Sequence, residues 1–397
     1  MSISRYYQYN MRTVIHCAPG SIIRIPALFE GLKAKRVILI SDKGLLEAGI
    51  VDQIVDVFRF NRGSSVALAG IYTDIAQDAS CESVNRATAY AREIAADAIL
   101  AVGGGSAIDA SKGVKYALQH GLTDIADALQ SGLKLEAWPD FPMSGIPHIG
   151  VPTTAGTGAE ASPIGVFLNE KLDIKSNLIS PGLDPDIAVL DANLTLGLPA
   201  FLTSSTGMDA LTHALEAVTS PVANPMTDAH AFAAAQLIVE NLPLVIEDGS
   251  NIIARSTMLQ ASSMAIDAFF GALNAIPVHN CAHAFGAMYH IPHGDANAAL
   301  LPVVMEAAKP FYLGQGMRLA KALNLPAQNK SDEELVDDSI AFLKEFQKKV
   351  GATNNFSRWN VKAEDKEEIA YAIASDPAAM FFPMPAAMVD AIVDQLL

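Results

Sequence analysis

The 397-residue sequence predicts an α/β unit built on a parallel, Rossmann-like sheet, followed by an all-helical unit. Three observations point there. Short β-branched runs alternate with amphipathic stretches through the first half, which is how a parallel sheet with crossover helices reads in sequence. From about Pro199 onward the texture changes to long Ala- and Leu-rich helical stretches with no convincing strands. The change falls at residues 192 to 200, so 1–195 is expected to be the α/β domain and 196–397 the helical one.

In chain order, the expected strands are RVILIS (36–41), VALAGIY (66–72), AILAVG (98–103), HIGVPT (148–153) and IAVLD (187–191). CESVNRATAYAREIAA (81–96) is an amphipathic crossover helix between the second and third of these. In the second half, TDAHAFAAAQLIVENLPLVIE (227–247) and SDEELVDDSIAFLKEFQKKVG (331–351) read as long helices. The latter has a Ser331 cap at its start and Gly351 at its end.

Composition narrows the partners. The chain is 51% apolar and 18% charged, enough to bury a large core. Its formal charge of −16 repels nucleic acid and anionic lipid, so neither nucleic acid nor a membrane is expected as a partner and small molecules are. The N-terminus carries no apolar run of signal-peptide length and nowhere do eighteen apolar residues run uninterrupted, which makes a cytoplasmic location the expectation. Three cysteines, Cys17, Cys81 and Cys281, are odd in number and widely spaced, fitting neither a disulfide framework nor a thiolate zinc site. Cys281 reads as a small buried apolar residue.

A phosphate-binding candidate lies at AILAVGGGSAIDASKGVKYAL, where a buried-strand pattern meets three glycines and then a helix. Glycines let the backbone approach a phosphate, and the N–H groups of a helix start favour an anion. The stretch is not the GxGxxG fingerprint, whose ribose-binding acid follows the glycines by about twenty residues. Here the acid candidate, Asp42, precedes Gly103 by about sixty, so it is either a turn residue or part of a different nucleotide-binding arrangement. A second loop, VPTTAGTGAEAS (151–162), follows another strand and offers the hydroxyls of Thr153, Thr154 and Thr157. Two such loops at the carboxyl ends of strands in one sheet favour a dinucleotide.

The metal candidate lies in the helical half. Asp209 and His213 in GMDALTHALEA stand four apart on one helix face, as do His279 and His283 in VHNCAHAFGAMYHIPHG. That second stretch holds four of the nine histidines. A carboxylate and imidazoles without paired cysteines suit Fe²⁺, Mn²⁺ or Zn²⁺. If 278–290 is helical, His290 lies about 16 Å along the axis from His279 and cannot share its ion. His293 escapes this limit, because Pro292 breaks the helix. Spacing alone leaves the choice between His283 and His293 open. Three neutral imidazoles and one carboxylate around a divalent ion leave one net positive charge, which stabilises an oxyanion.

Taken together, SDKGLLEAG (41–49), GGGSAIDASK (103–112), PTTAGTGAE (152–160), PDIAVLD (185–191), GMDALTHALEA (207–217) and HNCAHAFGAMYHIPHGDANAALLP (279–302) resemble the iron-containing (group III) alcohol dehydrogenase family, over nearly the whole chain. The resemblance implies a dehydroquinate-synthase-like fold and a metal-dependent transfer of hydride between NAD(H) and a small alcohol, aldehyde or ketone. By similarity the metal, Fe²⁺ or Zn²⁺, is held by Asp209, His213, His279 and His293, with His283 in a catalytic or positioning role near it. Asp42 matches the acid that meets the adenosine ribose and disfavours a 2′-phosphate, which implies NAD over NADP. Gly103, Gly104, Gly105 and Ser106 match the pyrophosphate loop, Asp109 and Lys112 follow in the same motif, and Thr153, Thr154 and Thr157 match the second cofactor loop. A homodimer or larger homo-oligomer is the family expectation.

The chain departs from the family at FPMPA (382–386), where many relatives carry Asn-Pro-Arg-Pro, and at Asp295, where an apolar residue is common. Two rival functions share parts of this pattern. A dehydroquinate-synthase-like lyase needs Lys and Arg around its metal for a substrate phosphate, yet 203–220 and 271–302 contain neither. A non-catalytic redox sensor that binds NAD predicts a degraded metal site, whereas all four ligand positions are filled.

Overall fold

The computed structural model describes residues 6–61, 63–137, 145–172 and 174–397. The chain folds into two compact units, Arg12–Leu198 and Pro199–Leu397, with the described part of Met1–Met11 belonging to the second. Tyr9 accounts for that grouping: its hydroxyl donates to Asp267 Oδ2 at 2.5 Å and lies 3.1 Å from His230 Nδ1, both in the helical unit.

Among the described residues of the first unit, nine strands form two sheets. They are β1 (Val14–Cys17), β2 (Arg36–Ile40), β3 (Ala67–Tyr72), β4 (Ala98–Gly103), β5 (Leu133–Leu135), β6 (His148–Pro152), β7 (Ile164–Asn169), β8 (Ile174–Ile179) and β9 (Ile187–Leu190). Six of them make a sheet in the order β1-β9-β6-β4-β2-β3, with every pairing parallel. All five strands expected from the sequence are in it. The sixth, β1, is half exposed at the sheet edge and too short to announce itself. The small sheet β5-β8-β7 also went unforeseen, because β8 reads IKSNLI and lacks a continuous apolar run.

Residues of β2 divide by parity, as the pleat requires. Ile38 and Ile40 join Val84, Val114 and Phe167 in one core, whereas Val37 and Leu39 join Val51, Val102 and Val151 in the other. Both faces of the sheet are therefore covered, which is why its strands are apolar at consecutive positions. The crossover helix α1 (Cys81–Glu93) is capped by Ser80, and α2 (Gly105–His120) follows directly from β4.

The second unit is helical among its described residues. Its main elements are α3 (Ala200–Thr219), α4 (Pro225–Glu247), α5 (Ile252–Gly271), α6 (Pro277–Tyr289), α7 (His293–Ala307) and α8 (Asp332–Val350). Ser331 and Glu334 form a full capping box at the start of α8, and Gly351 ends it in the left-handed conformation (φ 64°). Helix α3 is buried along nearly its whole length, so each polar side chain on it must find a partner inside. Helix α4 is long and apolar enough to cross a membrane by length and composition alone.

Candidate functional site: a glycine loop and a buried histidine cluster

Sheet order brings the displaced acid to the glycines. Strand β2 lies between β3 and β4, so the chain reverses its direction of travel across the sheet there, and ligands of open α/β sheets gather at such a point. In register, Ile40 of β2 pairs with Ala101 of β4, which sets Asp42 beside Gly103 despite their distance in sequence. Asp42 caps the short helix Lys43–Glu47 through Oδ1, which accepts from the N–H of Leu45 at 3.0 Å. Its other oxygen lies 3.7 Å from where a Cβ on Gly103 would stand.

Gly103 has φ +156°, and a Cβ there would come within 2.6 Å of the Ala107 Cβ, so only glycine fits. Gly104 caps α2 with no side-chain hydrogen bond to the first turn, leaving its N–H groups to meet an anion. The second loop lies alongside because β6 pairs with β4. Thr153 N–H donates to Gly103 O at 3.0 Å, and Thr154 Oγ1 and Thr157 Cγ2 lie 3.4 and 2.8 Å from the Cβ positions of Gly104 and Gly105.

Ser106 Oγ accepts from the N–H of Asp78 at 3.1 Å, and Asp78 in turn pairs with Lys175 at 2.9 Å. Lys175 thus sits one residue removed from the loop. Nothing local in IKSNLI singles it out. Lys112 is fully buried, and its ammonium meets Asp109 Oδ1 at 3.2 Å, Ser162 Oγ at 3.1 Å and Ile164 O at 2.5 Å, one acceptor for each of its hydrogens. Burial pushes the Asp109 carboxyl up, and Lys112 with the Val166 N–H offsets part of that. Both residues tie α2 to β7 behind the loop.

In the helical unit, ligand atoms of Asp209, His213 and His279 lie within 4.8 Å of one another, all three residues buried. Asp209 and His213 come from α3 and His279 from α6. His279 Nε2 is buried without a hydrogen-bond partner, 3.8 Å from Asp209 Oδ1. His293, first residue of α7, brings Nε2 to 3.6 Å from the same oxygen. Gly294 permits that approach, since a Cβ there would stand 2.8 Å from the Ser205 carbonyl oxygen on α3. Donor atoms sharing one ion at tetrahedral N/O distances stand about 3.4 Å apart. The observed spacings and the mixed imidazole–carboxylate set fit a divalent transition metal.

Electrostatics of the cluster follow from burial and proximity. Burial pushes the Asp209 carboxyl up, but His213, His293 and His279 outweigh it and hold it well below the usual carboxylate range. Burial likewise lowers His279, yet Glu216 and Asp209 raise it to about 9. Phe269 closes an apolar wall, its ring 4.9 Å from that of His213 and 4.8 Å from that of His279.

Polar groups that the sequence did not single out surround these residues. Glu216 Oε2 meets His279 Nδ1 at 2.5 Å. Asn297 donates from Nδ2 to Asp209 Oδ1 at 2.7 Å and lies 3.1 Å from His293 Nε2. His283 directs Nδ1 to Asp376 Oδ2 at 3.1 Å, and its ring stacks 5.7 Å from His293. His290 ends α6 in the left-handed conformation (φ 54°) and is exposed, and Pro292 caps α7. Cys281 is fully buried, where burial pushes its thiol up, and it packs against Met384.

Both departures have structural partners. Asp295, in the first turn of α7, accepts from Thr353 and from Arg358 at 2.9 Å, binding residues 353–358 to the helix that carries His293. Phe382 packs edge-on against Phe311 at 4.8 Å, so the segment 382–386 is anchored by apolar contacts.

Comparison with known proteins identifies the family. The family model described as "Iron-containing alcohol dehydrogenase" matches residues 12–192, and "Fe-containing alcohol dehydrogenase family, C-terminal" matches residues 203–397. The chain is 35% identical to Long-chain-alcohol dehydrogenase 1 of Geobacillus thermodenitrificans, over 84% of this chain and 80% of that protein. It is 33% identical to the 1,3-propanediol dehydrogenase of Klebsiella pneumoniae, over 96% and 95% of the two chains. A crystal structure of 1,3-propanediol oxidoreductase superposes with a TM-score of 0.87 at 31% identity, covering 99% of this chain and 100% of that one. With both halves matched, the chain belongs to the iron-containing (group III) alcohol dehydrogenase family.

Proposed function

We propose that the protein is a metal-dependent alcohol dehydrogenase that transfers hydride between NAD(H) and a small aliphatic alcohol or its aldehyde. Membership of the family supports the reaction class. The observation that carries the site is the buried convergence of Asp209, His213 and His279. These three with His293 would hold the ion, and its identity as Fe²⁺ rests on the family's name, since the same donors accept Zn²⁺. Bound there, the ion supplies Lewis-acid stabilisation of negative charge on the substrate oxygen.

The chain's own residues do the rest. Backbone N–H groups at Gly103, Gly104, Gly105 and Ser106 receive the cofactor pyrophosphate without any net positive charge on the protein. Asp42 accepts from the ribose hydroxyls and repels a 2′-phosphate. Thr153, Thr154 and Thr157 flank that loop, with Asp109 and Lys112 bracing it from behind. His283, oriented by Asp376, is placed to take or return a proton at Nε2. Phe269 offers an apolar surface beside the imidazoles, which suits an aliphatic chain. The relatives' names span long-chain alcohols and 1,3-propanediol, so primary alcohols of graded length are the first substrates to try. A cytoplasmic homodimer or larger assembly is proposed as the working form, to be checked by light scattering.

The test follows NADH absorbance with a panel of alcohols and aldehydes, using metal-stripped protein before and after anaerobic Fe²⁺ or Zn²⁺, with NADPH in parallel. Turnover restored by metal with NADH preferred supports the reading. Turnover unaffected by metal removal overturns it.

A further inference from the structure

We infer that Glu216 is a positioning residue for His279, fixing the imidazole with its proton on Nδ1 so that the lone pair of Nε2 faces Asp209 and His213. The inference rests on reading that cluster as a metal site. Asp209, His213 and Glu216 stand at positions i, i+4 and i+7 of α3, a single stripe of one helix face. The first two point into the cluster, while the third reaches across to α6 behind it.

Both oxygens of Glu216 are committed. Oε1 accepts from the N–H of Val278 at 2.7 Å and Oε2 faces His279 Nδ1 at 2.5 Å, with the residue only 2% exposed. The Val278 N–H belongs to the first turn of α6, whose cap Ile276 has no side chain able to satisfy it. Glu216 therefore serves as that helix's missing cap, and the helix start favours its negative charge. Held at one oxygen, the carboxylate has a fixed orientation at the other. Because a carboxylate only accepts, the group facing it must donate, which assigns the Nδ1–H tautomer to neutral His279. Outer carboxylates of this kind orient ligand histidines and raise their basicity. Glu216 also adds a second buried negative charge to the Asp209 carboxylate, which cancels the net positive charge expected from the four ligands alone.

A capping role alone makes a different prediction from a positioning role. In Glu216→Gln the side chain keeps its length but has one acceptor. With that oxygen on the Val278 N–H, the amide N–H₂ faces Nδ1 and drives the imidazole to the Nε2–H tautomer, which blocks the metal-facing nitrogen. In Glu216→Ala both contacts vanish. The experiment measures Zn²⁺ and Co²⁺ affinity by chelator competition on the stripped full-length protein, the Co²⁺ absorption spectrum, and the tautomer of neutral His279 from imidazole ¹⁵N shifts in the metal-free protein, recorded at a pH above the raised His279 value of about 9. NADH affinity and melting temperature are the controls for folding.

The expected result is a 10- to 100-fold loss of metal affinity in Glu216→Gln, the scale of a lost outer partner, with a shifted tautomer and NADH affinity unchanged. Affinity within twofold of wild type in both variants, with an unaltered Co²⁺ spectrum and tautomer, overturns the inference and leaves Glu216 as a cap. If Glu216→Ala does not fold, Glu216→Gln and the tautomer measurement still decide. Wild-type protein that binds neither metal, or binds equally after His279→Ala, refutes the metal site itself, a failure separate from that of Glu216.

Discussion

The glycine loop after β4 and the histidine cluster of α3, α6 and α7 are built from opposite materials. Around Gly103 the groups offered to a ligand are main-chain N–H groups, and the site exists because side chains are missing. Around Asp209 the groups are side chains, and two of them are held by another polar side chain standing behind, Glu216 for His279 and Asn297 for Asp209. A backbone site is therefore vulnerable to anything added. A side-chain site is vulnerable to removal at two depths, the ligand and its support.

That contrast can be broken at several points. The largest effect is expected at the ligands: His279→Ala should abolish metal retention and lower turnover beyond the roughly 100-fold typical of an outer partner. NADH affinity, read by fluorescence, should stay within about twofold of wild type, since the loop lies in the other unit. Equal loss of both would mean that the two sites do not operate separately.

Next comes an addition to the backbone site. Gly103→Val forces a branched side chain onto φ +156° and into Ala107, at a cost of about 1–3 kcal/mol. NADH binding should weaken by about one to two orders of magnitude while Zn²⁺ affinity is retained. Unimpaired NADH binding would show that the loop is not where the cofactor's phosphates sit.

A smaller effect is expected where support reaches a residue outside the ligand set. Asp376→Ala frees the His283 ring, so kcat should fall about tenfold or somewhat more with metal affinity unchanged, and Asp376→Asn should recover part of it. Loss of metal on this substitution would instead make His283 a ligand, reopening the choice that spacing left open.

The smallest effect lies away from both sites. His230 contacts Asp267 Oδ2 at 2.5 Å, and the Asp267 hydrogen bond raises its pKa against a smaller lowering by burial. A raised folded value means that this contribution is complete below the ordinary histidine range and is lost as pH rises through the raised value. Because His230 is partly exposed while Asp267 is buried, the pair should contribute on the order of 1 kcal/mol. His230→Ala should thus lower the melting temperature at pH 6 more than at pH 9. An equal loss at both would assign the contact to packing.

Much of the fold was legible because its signals are local. The five apolar strands, the α8 capping box and the Gly351 stop are written within a few residues of where they act, and they appear as expected. Strands β1, β5, β7 and β8 were not legible, because they sit at an edge or in a small sheet where no long apolar run is required. Of the helical unit's polar residues, Asp209, His213 and His279 stood out by type and spacing. Glu216 lay within the same GMDALTHALEA motif, and its place on the Asp209–His213 stripe of a helix with no other carboxylate was a signal that could have found it.

By itself, then, the sequence determined the order of elements, their caps, the family and the kinds of donor available, since periodicity and residue chemistry are properties of a short segment. Tertiary structure alone decided the pairings. Asp42 meets Gly103 because β2 and β4 are neighbours in the sheet, Glu216 meets His279 because α3 packs at the start of α6, and Asp376 meets His283 from nearly a hundred residues away. Such contacts depend on how whole elements pack, and side-chain type at either end carries no record of which distant partner the packing will bring.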